Sequence, residues 1–181
     1  MSKNIAVIIG TTRPSRIGAN VTNWVISRLP VKDGIVYEII DLAEWNLPIF
    51  DEAKSPMMGQ YQNDHTKKWS AKISEFDGFV IVSAEYNAGY PAALKNAVDY
   101  LAAEWKDKPI AIVTYGYTGG ASANNQLDEV FTRLKMKVTP TKPKLFFSEG
   151  IFGEDGQIKD IEEAFGKHAA DIAKAGEELI A

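Results

Sequence analysis

Strand-like and helix-like segments alternate five times along the 181 residues. That alternation predicts an α/β three-layer sandwich: a five-stranded parallel sheet in the order 2-1-3-4-5, with helices on both faces. The distribution of apolar residues supports the order. Three of the strand-like runs are apolar on both faces, as central strands of a parallel sheet must be, and two are interrupted by charge or proline, as edge strands can be. A chain of this length fits one domain, residues 1–181, and no Pro/Gly/Ser linker, repeat or low-complexity segment divides it.

The first central strand is Ile5-Ala6-Val7-Ile8-Ile9, followed by Gly10-Thr11-Thr12-Arg13-Pro14-Ser15-Arg16-Ile17-Gly18 and a helix marked by Val21, Trp24, Val25 and Leu29 at helical spacing. Ile35 to Asp41 reads as an edge strand because Glu38 falls within it. From Leu42 to Asn63 the chain is polar and contains prolines, yet carries Trp45, Leu47, Ile49 and Phe50, which predicts a lid or contact surface. Trp69, Ile73 and Phe76 mark the second helix, and Phe79-Val80-Ile81-Val82 the second central strand. Ser83 to Pro91 then leads into a helix with Leu94, Ala97, Val98 and Leu101 on one side, and Pro91 suits its first turn. Ile110-Ala111-Ile112-Val113 is the third central strand, before Tyr115 to Gly120 and a helix carrying Leu127, Val130, Phe131 and Leu134. The last strand lies within Val138 to Phe147, where Pro140 and Pro143 confine it to an edge, and a single helix is expected from Asp160 to Leu179.

Composition narrows the function classes. A net charge of −4 with interspersed charges gives no field for nucleic acid or an anionic membrane. No apolar run approaches membrane length, and the four residues before the first strand are too short for a signal peptide. The absence of cysteine excludes disulfides, thiolate metal sites and thiol chemistry, and fits a cytoplasmic setting. His65 and His168 have no partners at triad or metal-ligand spacing and read as packing residues; Glu162-Glu163 and Glu177-Glu178 read as solvated helix faces. Ser83 lacks the G-x-S-x-G context of a hydrolase nucleophile.

In a sheet of this order, ligands bind beyond the carboxyl ends of the strands where the order reverses. Three loops leave those ends: Gly10 to Gly18, Ala84 to Tyr90 and Tyr115 to Gly120. The first places backbone N–H groups and the positive end of a helix dipole at one point, with hydroxyls from Thr11, Thr12 and Ser15 and guanidinium forks from Arg13 and Arg16. Taken alone, these residues suit an anion site or an ordinary strand-to-helix turn. G-x-G-x-x-G and G-K-[ST] are both absent, which argues against a dinucleotide clamp and a nucleoside triphosphate loop. A phosphate alone falls short of micromolar affinity, about 8 kcal/mol, unless most donors, at roughly 1.5–3 kcal/mol each, are well aligned. The other two loops offer Tyr86, Tyr90, Tyr115 and Tyr117 as flat surfaces and backbone groups for the edge of a heterocycle. A phosphate at one end and a planar ring at the other describes a mononucleotide with a large aromatic base, and FMN fits.

Gly10-Thr11-Thr12-Arg13, Glu85-Tyr86-Asn87, Pro91, Ala93-Leu94-Lys95-Asn96-Ala97 and Asp99-Tyr100-Leu101 resemble the NAD(P)H-dependent FMN reductase family, which includes flavin, quinone, azo-dye and chromate reductases. Leu47-Pro48, Asp51-Glu52 and Gly119-Gly120 extend the resemblance over nearly the whole chain, and Glu85 to Leu101 is its most specific stretch. The resemblance implies a flavodoxin-like fold, noncovalent FMN, and two-electron transfer from NADPH or NADH to a small-molecule acceptor by a ping-pong route. Carried over, Thr11, Arg13, Ser15, Arg16, Ile17 and Gly18 would hold the phosphate, Ala84, Glu85, Tyr86 and Asn87 would run along the isoalloxazine ring, and Tyr115 and Gly116 would close its far side. No protein nucleophile is needed, because the flavin carries the chemistry. The chain departs from the family at Ala84, where many members have Pro; at Ser122, where many have Arg; and at Arg16, where some have a small hydroxyl residue and which would meet either the FMN phosphate or the incoming NADPH. The family further implies a homodimer or homotetramer, with the Lys95–Asp99 helix and Trp105 as candidate contact residues. An electron carrier of the flavodoxin kind and a redox-sensing FMN protein are the alternative readings, separated from a reductase by NAD(P)H turnover.

Overall fold

The computed structural model describes residues 2–181. Strands β1 (Lys3–Ile9), β2 (Ile35–Asp41), β3 (Gly78–Ala84) and β4 (Pro109–Gly116) pair in parallel in the order β2-β1-β3-β4. The fifth position is shared by β5 (Lys137–Val138) and β6 (Lys144–Phe146), which pair with the beginning and the end of β4. Pro140 and Pro143 fall between them, so the expected edge strand is split where its ladder donors are missing. β3 is buried throughout and β2 is only partly buried, as the central and edge positions require.

Side chains along the strands alternate between two cores. Ile5, Val7, Val80, Val82, Ala111 and Val113 pack with α1 (Gly18–Arg28), α6 (Ile161–Phe165) and α7 (Ala169–Ile180). Ala6, Ile8, Phe79, Ile81, Ile110 and Ile112 pack on the other face with α2 (Leu42–Trp45), α3 (Asp64–Ser74), α4 (Ala92–Asp99) and α5 (Ala121–Arg133). The single helix expected from Asp160 to Leu179 is divided into α6 and α7 by a tight turn at Gly166–His168. Glycine at 166 leaves room for Glu162, whose carboxylate a Cβ there would approach to 3.0 Å. Glu162 instead receives the Trp24 indole N–H at 2.8 Å and pairs with Arg28. Glu162 nonetheless stays exposed, as a solvated helix face should, whereas Glu178 accepts from Thr141 N at 2.8 Å and Thr141 Oγ1 at 2.7 Å.

Trp105 is fully buried and donates to Val98 O at 3.1 Å, so it belongs to the core and not to a subunit contact. The 42–63 excursion is ordered from α4. Asn96 donates to Pro48 O at 2.7 Å and accepts from Phe50 N at 2.8 Å, and Tyr100 donates to Pro48 O at 3.0 Å. Its apolar cluster divides: Trp45 and Leu47 pack on the core, whereas Ile49 is 88% exposed.

Candidate functional site

The register brings the carboxyl ends of β1, β3 and β4 together at the point where the strand order reverses. Gly10 N donates to Val82 O at 2.9 Å, and a turn closed by Arg16 N to Arg13 O at 3.0 Å returns the chain to α1. Ile17 caps α1 without a side-chain hydrogen bond, which leaves the N–H groups of its first turn open to another acceptor. Thr11 is 1% exposed, yet its Oγ1 has no hydrogen-bond partner. It lies against Gly18, where an added Cβ would sit 2.3 Å from Thr11 Oγ1 and 3.1 Å from the Tyr115 hydroxyl, so no larger residue fits. Arg16 forms an ion pair with Asp41, both less than one-fifth exposed, and Asp41 also caps α2 by accepting from Ala43 N at 3.0 Å. This pair fixes Arg16 to the end of β2.

Ala84 remains in β3, opposite Tyr115. Beyond it, Tyr86 and Gly89 exchange backbone hydrogen bonds of 2.7 and 3.0 Å around a turn whose centre, Asn87 and Ala88, has φ of 50° and 61°. Gln126 Nε2 anchors the turn by donating to Ala88 O at 2.7 Å. The Glu85 carboxylate turns away toward the start of α5, accepting from Ser122 N at 2.8 Å, Ala123 N at 3.0 Å and Thr118 Oγ1 at 3.0 Å. It supplies the capping acceptor that Gly120 lacks. The third loop closes through Gly119 and Gly120, with φ of 68° and 70°. A Cβ on Gly120 would lie 2.8 Å from Thr114 Cβ. Thr114 Oγ1 donates to Gly119 O at 2.8 Å and accepts from Asn124 Nδ2 at 3.1 Å, which ties this turn to α5.

Tyr115 is buried, and its hydroxyl reaches the base of the first loop, close to Thr11 Oγ1. Burial pushes its pKa up to about 12 against the opposing influence of Thr11, Arg13 and Arg16. The hydroxyl therefore keeps its proton at neutral pH.

All three loops open on one cavity of about 620 Å³, within the range of small-molecule sites. Arg13, Arg16 and Ile17, then Ala84, Glu85 and Tyr86, then Tyr115 and Gly116 line it. Thr11 and Gly18 lie buried against Tyr115, while Ser15 and Asn87 are exposed and do not form part of the wall. Tyr117 lines the cavity; Tyr90 packs on the core instead. The remaining wall is Thr118, within the third loop, and Phe147, Phe152 and Gly156, which lie outside all three loops. Phe147 meets Tyr117 edge-on at 5.4 Å and Phe152 at 5.1 Å. The only sequence signal for this segment is its glycine spacing, Gly150, Gly153 and Gly156, directly after the proline-broken strand. The donor set fits a phosphorylated planar ligand: an orphaned buried hydroxyl, an uncapped helix start and two guanidinium groups, together with aromatic rings in the same wall. No group of three or more carboxylate or imidazole side chains able to hold a metal occurs among the described residues. No helix among them is long and apolar enough to cross a membrane.

Residues 3–146 match the family described as NADPH-dependent FMN reductase. The chain belongs to this FMN reductase family. An NAD(P)H-dependent FMN reductase of Nectria sp is 42% identical, over 97% of this chain and 94% of the relative. One from Schizosaccharomyces pombe is 40% identical over 97% of this chain and 88% of the relative. Among solved structures, the flavoenzyme NAD(P)H:(acceptor) oxidoreductase FerB of Paracoccus denitrificans shares the fold, with a TM-score of 0.73 at 18% identity, over 98% of this chain and 97% of that one. As a member of the FMN reductase family, the protein is an oxidoreductase that uses FMN and a nicotinamide nucleotide. The family match ends at Phe146, so the wall built by Phe147, Phe152 and Gly156 lies beyond it.

Proposed function

We propose that the three-loop cavity is the FMN site and that the protein reduces small planar acceptors, such as quinones, azo compounds or free flavin, with NADPH or NADH. The observation that carries this reading is the convergence of loops from β1, β3 and β4 on one cavity lined by two guanidinium groups and by aromatic rings. Thr11, Arg13, Arg16 and the N–H groups of Ile17 and Gly18 hold the phosphate; Ser15 adds a hydroxyl from the exposed side of the loop. Ala84 to Asn87 and Tyr115 to Gly116 border the ring. Bound FMN supplies hydride acceptance and two-electron delivery. The backbone at Glu85, Tyr86 and Gly116 would border the ring and fix its orientation. Tyr86 and Tyr117, 39% and 74% exposed, leave one side accessible, which suits donor and acceptor binding in turn.

Self-association through the outer face of the 42–63 excursion is part of the proposal. Ile49 and Met57, each 88% exposed, Met58 at 56% and Phe50 at 37% give this excursion apolar side chains suited to contact with a second copy, as homodimer or homotetramer. The demand for reduced nicotinamide nucleotide supports a cytoplasmic setting. The test is the visible spectrum of the protein after incubation with FMN and desalting, followed by anaerobic NADPH. Retained flavin bands that bleach support the reading; bands that persist point to an electron carrier; a colourless protein refutes the site.

A further inference from the structure

Two hydroxyls meet at the base of the first loop. Thr11 Oγ1 is buried and satisfies no partner's hydrogen-bond geometry, and the Tyr115 hydroxyl comes close to it from β4, both standing within 3.1 Å of where a Gly18 Cβ would lie. An unsatisfied buried hydroxyl is costly, and replacing it by an isosteric apolar group would relieve that cost. The family resemblance places Tyr115 against the flavin ring, yet its hydroxyl extends to the N-terminus of α1, within 3.1 Å of where a Gly18 Cβ would stand.

We propose that Tyr115 is a positioning residue for the FMN phosphate: its hydroxyl donates to Thr11 Oγ1, so that the single Thr11 hydroxyl proton points to a phosphate oxygen. The inference rests on the reading that the Gly10–Gly18 loop holds the phosphate. A hydroxyl has one proton to donate and lone pairs to accept. Fixing the acceptor side of Thr11 therefore selects the rotamer that donates to the anion, and each bond of such a chain polarises the next. Because Tyr115 stays protonated at neutral pH, with a pKa of about 12, its proton is always available. Gly18 is part of the same device, since any side chain there would separate the two hydroxyls.

The experiment titrates FMN and riboflavin separately into the apoprotein, read by quenching of flavin fluorescence, for the wild type, Tyr115→Phe, Thr11→Val, Thr11→Ser and the Tyr115→Phe/Thr11→Val double variant. Riboflavin has the same ring and no phosphate. Tyr115→Phe is expected to weaken FMN about 3- to 10-fold with riboflavin unchanged, and Thr11→Val about 10-fold or more. Thr11→Ser keeps the donor and stays close to wild type. The double variant binds FMN no more weakly than Thr11→Val alone, because the two hydroxyls act in series. Equal losses for FMN and riboflavin in Tyr115→Phe, or no loss for either, overturn the inference. A wild type that binds riboflavin as tightly as FMN overturns instead the reading that the loop holds a phosphate.

Discussion

Removing the Glu85 carboxylate should loosen two of the three cavity loops together, because one side chain joins them. Its oxygens accept the N–H groups of Ser122 and Ala123 in the first turn of α5 and the Thr118 hydroxyl, so β3 is tied to both the β4 loop and the helix after it. The loss of a helix cap is worth about 0.5–2 kcal/mol. With a charged acceptor and a third bond, about 2 kcal/mol is expected for Glu85→Ala, screened by the partial exposure of the site. In a chain of this size each kcal/mol shifts Tm by about 2–4 °C, so Glu85→Ala should unfold about 4–8 °C below wild type. Glu85→Gln retains one acceptor and should lose about half as much. Thermal unfolding of the apoprotein followed by circular dichroism measures the shift, and hydrogen exchange at Ser122 and Ala123 localises it. A Tm within one degree of wild type, with unchanged exchange at those amides, would refute the capping argument.

Arg13→Ala removes a guanidinium that faces the cavity, and FMN should bind about 10- to 100-fold more weakly; unaltered FMN affinity would remove Arg13 from the phosphate site. Ala88 sits at φ 61°, a region costly for residues other than glycine or asparagine, so Ala88→Gly should raise Tm by about 2–4 °C, a gain of about 1 kcal/mol. A fall in Tm would show that the turn is not strained. Burial lowers the pKa of His168, and neighbouring Lys167 adds to the effect. The neutral form is favoured in the fold, so this contribution to stability is present above the unfolded value of 6.5 and is lost as pH falls through the folded value. His168→Gln should therefore flatten the decline in urea midpoint between about pH 7.5 and 5.5; an unchanged slope would assign that decline to other groups.

Much of the architecture was legible because it depends on local pattern. Apolar runs on both faces mark β1, β3 and β4 as central, and a charge or two prolines mark the edges. The loops at the switch point follow from that order alone, and ten of their residues stand in the cavity wall. What the sequence did not disclose depends on long-range return of the chain. Phe147, Phe152 and Gly156 become part of the site because Phe152 pairs with Ile158 and Gly153 N donates to Gln157 O at 2.8 Å, folding residues 152–158 back toward α1. Glu85 looked like a ring contact, and only the turn at Gly119-Gly120 shows that its carboxylate serves α5. Trp105 follows a helix that looked like a contact surface, and the tertiary fold buries it. The last helix kept its apolar spacing across the turn at Gly166–His168, which the periodicity alone does not mark.

The central claim is that one cavity holds FMN by its phosphate at the α1 terminus and by its ring between the β3 and β4 loops. A crystal structure of the FMN-loaded protein tests it most directly. The account predicts phosphate oxygens within hydrogen-bond distance of Thr11 Oγ1 and of the N–H groups of Ile17 and Gly18, with the ring bordered by Glu85, Tyr86 and Gly116. FMN bound elsewhere, as in the smaller cavity lined by Thr12, Asn46 and Asn96, would contradict it.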